Sequence, residues 1–168
     1  MPCRILNRLD KDTTGAVLIA KNAFAAAALT GHVDKLYLAS VSGGLTPSDG
    51  LIDAPIGQPD RTDPRRCACE DGQRAVTQYE TAAYGDGYSI VRCTLHTGRT
   101  HQIRVHMSCL GHPLLGDRLY GGDCGEIERQ ALHCVSLSFM HPVTGKRMKI
   151  QAALPQDMQK LTRNCVKR

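Results

Sequence analysis

Arg8-Leu9-Asp10-Lys11-Asp12-Thr13-Thr14-Gly15 runs straight into Ala16-Val17-Leu18-Ile19-Ala20. A loop rich in charges and hydroxyls meets an unbroken apolar run. Such a run suits a strand covered on both faces. Gly15 at the junction allows a backbone that other residues resist. A rigid strand anchoring a polar loop is a way to hold a reactive side chain still, and Asp10 is the candidate. The same Asp-x-x-Thr pattern also fits a plain capping turn, with side-chain oxygens taking backbone N–H groups.

A second stretch weighs against the plain turn. It reads Leu95-His96-Thr97-Gly98-Arg99-Thr100-His101-Gln102-Ile103-Arg104-Val105-His106 and continues through Gly111-His112-Pro113 to Gly116-Asp117 and Tyr120-Gly121. A helix fits residues 101–110, with Ile103, Met107 and Leu110 on one face. Gln102 and His106 share another face, and Arg104 lies apart from both sets. Arg99 and His101 fall at the helix start, where a basic first turn suits phosphate. A solvated basic turn is the plainer alternative.

The remaining chain reads as alternating short strands and turns. Asn22 caps a helix over residues 23–29, which Gly31 ends. Residues 37–42 read as a strand, and residues 46–72 as turn-rich with a short strand near 51–57. Residues 75–83 and 88–95 are strands joined at Gly85-Asp86-Gly87, with Val91, Cys93 and Leu95 alternating against Arg92 and Thr94. Residues 131–140 and 147–154 form a closing hairpin. The expected class is α+β, a mainly antiparallel mixed β-sheet with flanking helices, in one domain over 1–168.

The chain has 168 residues, 42% hydrophobic, 4% aromatic, no Trp and a net charge of +5. Aliphatic side chains must therefore fill the core, and the charge permits a nucleic-acid partner without demanding one. Eight cysteines include no Cys-x-x-Cys pair, and Cys67-Ala68-Cys69 is too closely spaced for a zinc knuckle. Cys93, Cys109 and Cys134 lie among apolar residues and read as small buried hydrophobes. Without a signal-peptide pattern, reduced thiols in a cytoplasmic protein are expected over disulfides. No apolar run approaches the ~20 residues of a membrane span. Zinc-deaminase and phosphate-loop motifs are missing, and His101 and His106 do not stack on one helical face as metal ligands would. No cofactor or metal is expected.

Taken together these stretches resemble the RluA-type pseudouridine synthases, which isomerise uridine in RNA. Asn7 to Gly15 matches the family's His-Arg-Leu-Asp-x-x-Thr-Ser-Gly motif, and Gly98 to His106 matches Gly-Arg-Thr-His-Gln-Ile-Arg-x-His. Gly111 to Gly121 matches Gly-His-Pro-x-x-Gly-Asp-x-x-Tyr-Gly, and Lys35-Leu36-Tyr37 a Lys-x-Tyr element. The resemblance implies Asp10 as catalytic carboxylate, paired with Arg104, with Tyr37 packed on the base. It implies Arg8 as the residue entering the gap left by a flipped-out uridine. Arg99, His101 and Gln102 are the further RNA contacts expected, on rRNA or tRNA, with the protein a monomer.

The match departs in two places. Asn7 replaces the motif His, keeping hydrogen-bonding capacity without charge. The family's upstream strand region, with its Asn-Lys-Pro-x-Gly element, and its small RNA-binding domain have no counterpart here. The expected consequence is an uncovered apolar edge. A catalytically inactive RNA-binding remnant is the alternative to a working synthase.

Overall fold

Val91 and Cys93, fully buried, sit at the middle of the protein, and the chain is arranged around their strand. The computed structural model describes residues 3–58 and 60–167. In chain order it contains β1 (Arg4–Ile5), β2 (Thr14–Gly15), β3 (Ile19–Ala20), α1 (Ala23–Leu29), β4 (Asp34–Ser42), β5 (Asp49–Asp53) and β6 (Ile56–Gly57). There follow β7 (Cys67–Ala68), β8 (Val76–Tyr84), β9 (Tyr88–Leu95), α2 (Gln102–Cys109), β10 (Leu132–Met140), β11 (Arg147–Gln151), α3 (Gln156–Arg163) and β12 (Val166–Lys167).

The main sheet runs β11-β10-β4-β9-β8-β12, with β5 added on β8 and β2 on β10. Its pairs are antiparallel except β2 with β10, which is parallel. This is the α+β class expected. Strand β4 is central because Ala39 and Val41 present no side chain too large for close packing, and both are fully buried. Register pairs Tyr37 with Cys93 on β9 and with Cys134 on β10. Ile103 and Met107 of α2 close the core over this sheet.

Three readings of the sequence need correction. Residues 16–20 are not one strand covered on both faces. They join β2 to β3, and Val17 and Ile19 are 45% and 51% exposed. Among the described residues strand β3 pairs with β1 alone, in a small ladder with Ile5 opposite Ile19, and both of these side chains are exposed. Cys109 and Leu110 end α2 in solvent instead of joining the core, whereas Cys93 and Cys134 are buried. Helix α3 was not anticipated. Its signals were present: Pro155 at the start, Asp157 in the first turn, Lys160 and Arg163 in the last, with Met158 and Leu161 buried.

All eight cysteines are free thiols. Among the described residues no helix is long and apolar enough to cross a membrane.

Candidate active site

Asp10 lies on a loop closed at its base by Asn7. The Asn7 amide donates to the Ala16 carbonyl at 3.1 Å and accepts from the Leu18 N–H at 2.7 Å. Asparagine thus fastens the two ends of the loop, which needs a donor and an acceptor but no charge. Beyond Asp10 the chain turns tightly, with Thr13 N–H donating to the Asp10 carbonyl at 3.0 Å. It then lies against β10, where a side chain on Gly15 would run into the backbone of Cys134. Only glycine allows that approach at its φ of 123°.

Helix α2 brings the second half of the site. Its start is organised by Gln102, which is 3% exposed. The Gln102 carbonyl oxygen accepts from the Thr97 hydroxyl at 2.8 Å and the Arg99 N–H at 2.9 Å. Its NH2 donates to the Val76 carbonyl and to Thr77 Oγ1, both at 3.0 Å. Both ends of the amide are bonded within the fold. It fixes the turn from β9 into α2. His106, one turn on, meets the same Thr77 hydroxyl at 2.9 Å and the Ala54 carbonyl at 3.0 Å.

Arg104 points the other way. Its Nε and Nη2 donate to both oxygens of Asp117 at 2.7 and 2.8 Å, and Nη1 lies 3.7 Å from Asp10 Oδ2. The Arg104 side chain is 7% exposed, Asp117 1% and Asp10 24%. Asp117 is therefore the buried counter-ion, and Asp10 is the acid that reaches the opening. Burial alone would lower the pKa of Arg104. The hydrogen bonds and charge of Asp117, with Asp10 behind them, more than offset it and hold the guanidinium charged. Its cationic carbon also lies 4.9 Å from the centre of the Tyr120 ring.

Tyr120 continues the chain of contacts. Its hydroxyl accepts from the Arg66 N–H at 2.8 Å and meets His101 Nδ1 at 2.8 Å. Burial, then the Arg104 charge, lowers the pKa of His101. The ring is thereby held toward its neutral form, and its tautomer sets which of the two groups donates. Asp117 and Tyr120 entered the sequence reading only as members of the Gly111 to Gly121 match. The Gly116-Asp117-x-x-Tyr120 spacing was the available signal for an acid and a ring on one turn.

The opening is a cleft of about 510 Å³ lined by Arg8, Asp10, Tyr37, Leu95, Arg99 and His101. Six of the seven residues expected at the site from the sequence are thus at or beside one cleft. Gln102 is the sixth of these, and Arg104, the seventh, stands behind the wall. Arg99 is exposed but engaged on one side, donating to the Arg74 carbonyl at 3.0 Å and to Gln73 Oε1 at 2.9 Å. Tyr37 is 5% exposed, and burial, reinforced by Cys134 and the Asp10 charge, pushes its phenol far up. It is a neutral hydroxyl at any ordinary pH. Among the described residues no three His, Cys, Asp or Glu side chains are grouped as a metal site.

The RNA pseudouridylate synthase pattern matches residues 1–109. A Bacillus subtilis protein, the uncharacterised RNA pseudouridine synthase YjbO, is 49% identical over 162 residues, 94% of this chain and 57% of its own length. The chain belongs to the RNA pseudouridylate synthase family. The Vibrio cholerae ribosomal large subunit pseudouridine synthase D is 41% identical over 177 residues, 94% of this chain and 54% of its own. The chain thus spans little more than half the length of these synthases. Human RNA pseudouridylate synthase domain containing 1 superposes with a TM-score of 0.81 at 29% identity, over 99% of this chain and 75% of that one. The human protein shares the α+β fold described above.

Proposed function

We propose that the protein isomerises specific uridines of structured RNA, rRNA or tRNA, to pseudouridine, with Asp10 as the catalytic carboxylate. The observation that carries this is the position of Asp10. It is the one acid of the Arg104 cluster that reaches the cleft, with the guanidinium 3.7 Å behind it and Tyr37 in the same lining.

Isomerisation breaks N1–C1′ with the bonding pair left on the base, turns the base and forms C5–C1′, after which C5 loses a proton and N1 takes one up. No electrons are gained or lost, so the reaction calls for no redox cofactor. Positive charge develops at C1′, which an anionic oxygen can trap or stabilise. Attack at C1′ and removal of a sugar proton both use the same Asp10 carboxylate. Tyr37, held as a neutral phenol, offers its ring to the base. Arg8, exposed on the cleft rim, fills the stack vacated by the flipped nucleotide. Arg99 and His101 approach the phosphates. The protein works as a monomer in the cytoplasm.

The test is tritium release from [5-³H]uridine-labelled RNA, with pseudouridine confirmed by nucleoside mass spectrometry. Wild-type protein releases tritium. Asp10→Asn keeps shape and RNA affinity but loses turnover by at least ~10³-fold. Wild-type turnover in Asp10→Asn would remove Asp10 from the chemistry. RNA binding without turnover by the wild type would instead identify an inactive RNA-binding remnant.

A further inference from the structure

The loop carrying Asp10 is held along three consecutive residues by a segment far away in sequence. Gln130 donates through its amide to the Lys11 carbonyl, and to Thr13 Oγ1 at 3.1 Å. Arg129 Nη1 donates to the Asp12 carbonyl at 3.1 Å. Asp12 lies between these two anchors with φ at 68°, a conformation disfavoured for a residue with a side chain.

Arg129 is itself fixed from behind. Its Nε and Nη2 donate to both oxygens of Asp157 at 2.8 and 3.0 Å, at the start of α3. Its Nη1 is shared with the Gln130 carbonyl at 3.1 Å. The guanidinium is only 18% exposed. A bidentate pair of this kind sets an orientation, not only a distance.

We infer that Arg129, Gln130 and Asp157 are positioning residues for the isomerisation: a clamp running from α3 through backbone carbonyls to the loop of Asp10. This rests on the function proposed above, because a clamp matters to turnover only if Asp10 reacts. None of the three lines the cleft, so none contacts the uridine. They act on where the carboxylate stands relative to C1′. Misplacing a reacting group by about an ångström can cost on the order of 10²-fold.

Three variants test this: Gln130→Met, which keeps bulk but removes both donors; Asp157→Asn, which removes the charge behind Arg129; and the swap Arg129→Asp with Asp157→Arg. The swap can restore the ion pair but leaves no donor for the Asp12 carbonyl. Two readouts are taken on the whole protein: amide hydrogen exchange at residues 11–14, and kcat and KM for tritium release. Gln130→Met and Asp157→Asn should speed exchange at 11–14 and lower kcat about ten- to a hundredfold, with KM within about twofold. The swap should regain thermal stability relative to Arg129→Asp alone without regaining kcat.

Unchanged exchange at 11–14 in Gln130→Met and Asp157→Asn would overturn the clamp. So would a swap that restores kcat along with stability, since the contact to Asp12 would then be dispensable. A wild-type protein that releases no tritium would sink the isomerase reading alone. The exchange measurement would still decide whether the clamp holds the loop.

Discussion

The two flanks of the Asp10 loop are built differently. On the inner flank, Thr14 and Gly15 pair with His133 and Cys134, and Ala16 N–H donates to the Cys134 carbonyl at 3.0 Å. Arg104, backed by Asp117, stands 3.7 Å from Asp10, and Gln130 bonds Lys11 and Thr13. On the outer flank, β1 and β3 make a two-stranded ladder whose outer face carries Ile5 at 65% and Ile19 at 51% exposure, with Phe24 of α1 at 62%. Polar groups are buried on the side that holds the carboxylate, and apolar groups are exposed on the side that does not. Directional bonds are therefore concentrated on the flank that holds the Asp10 carboxylate, while the outer flank relies on few contacts.

The largest expected effect on stability breaks the inner flank at its ion pair. Asp117→Ala leaves the Arg104 guanidinium buried, with only Asp10 nearby at 3.7 Å. Removing one partner of a buried pair costs about 3–5 kcal/mol. In a chain of this size that lowers the melting temperature by roughly 10 °C. Asp117→Leu combined with Arg104→Met should cost less than Asp117→Ala alone, because no charge is stranded. Thermal unfolding of these two variants beside the wild type makes the comparison. A loss under ~1 kcal/mol for Asp117→Ala would show that Arg104 reaches water and that the inner flank is not dry.

The next effect comes from acid. His101, His106 and His133 all titrate below the ordinary 6.5, in each case chiefly because burial disfavours the cation. His106 is fully buried, and His133 bonds the Thr14 hydroxyl at 2.8 Å beside the loop. As pH falls through about 6.5 the unfolded chain takes up protons that the folded chain refuses. Stability is thus complete above about pH 7 and declines as the pH drops toward 5. Calorimetric melting temperatures across that range should be flat on the alkaline side and fall on the acid side. His106→Gln should lower every value but flatten the acid slope. A melting temperature that holds steady from pH 7 to 5 would mean that these rings are charged in the folded protein.

Much of this was legible. The motif from Gly98 to His106 placed α2 and its three faces, because helical spacing separates Ile103 and Met107 from Arg104 without reference to anything else. The bonds that Gln102 makes were not legible, because nothing local shows that its amide reaches Val76 and Thr77. The run at 16–20 was misread because an apolar sequence does not record how many of its faces are covered. Arg129 and Gln130 left no signal at all. They act across well over a hundred residues on the carbonyls of Lys11 and Asp12, and every residue has a carbonyl.

The smallest expected effect tests whether the outer flank is as bare as it stands. Leu18 and Ile19 are neighbours on opposite faces: Leu18 packs against the main core, and Ile19 points to solvent. Leu18→Ala should cost about 1–3 kcal/mol, the lower part of the range for a leucine that is not fully enclosed. Ile19→Thr keeps the β-branched shape that suits β3 and removes apolar surface already half in water. It should change stability by no more than ~0.5 kcal/mol, as exposed substitutions do. Chemical denaturation of the two variants side by side makes the comparison, since both change the same short segment. If Ile19→Thr costs as much as Leu18→Ala, the outer face is covered in solution and the two flanks are less different than they look. A cost that grows with protein concentration would identify the cover as a second copy of the chain, because only association makes stability depend on the amount present.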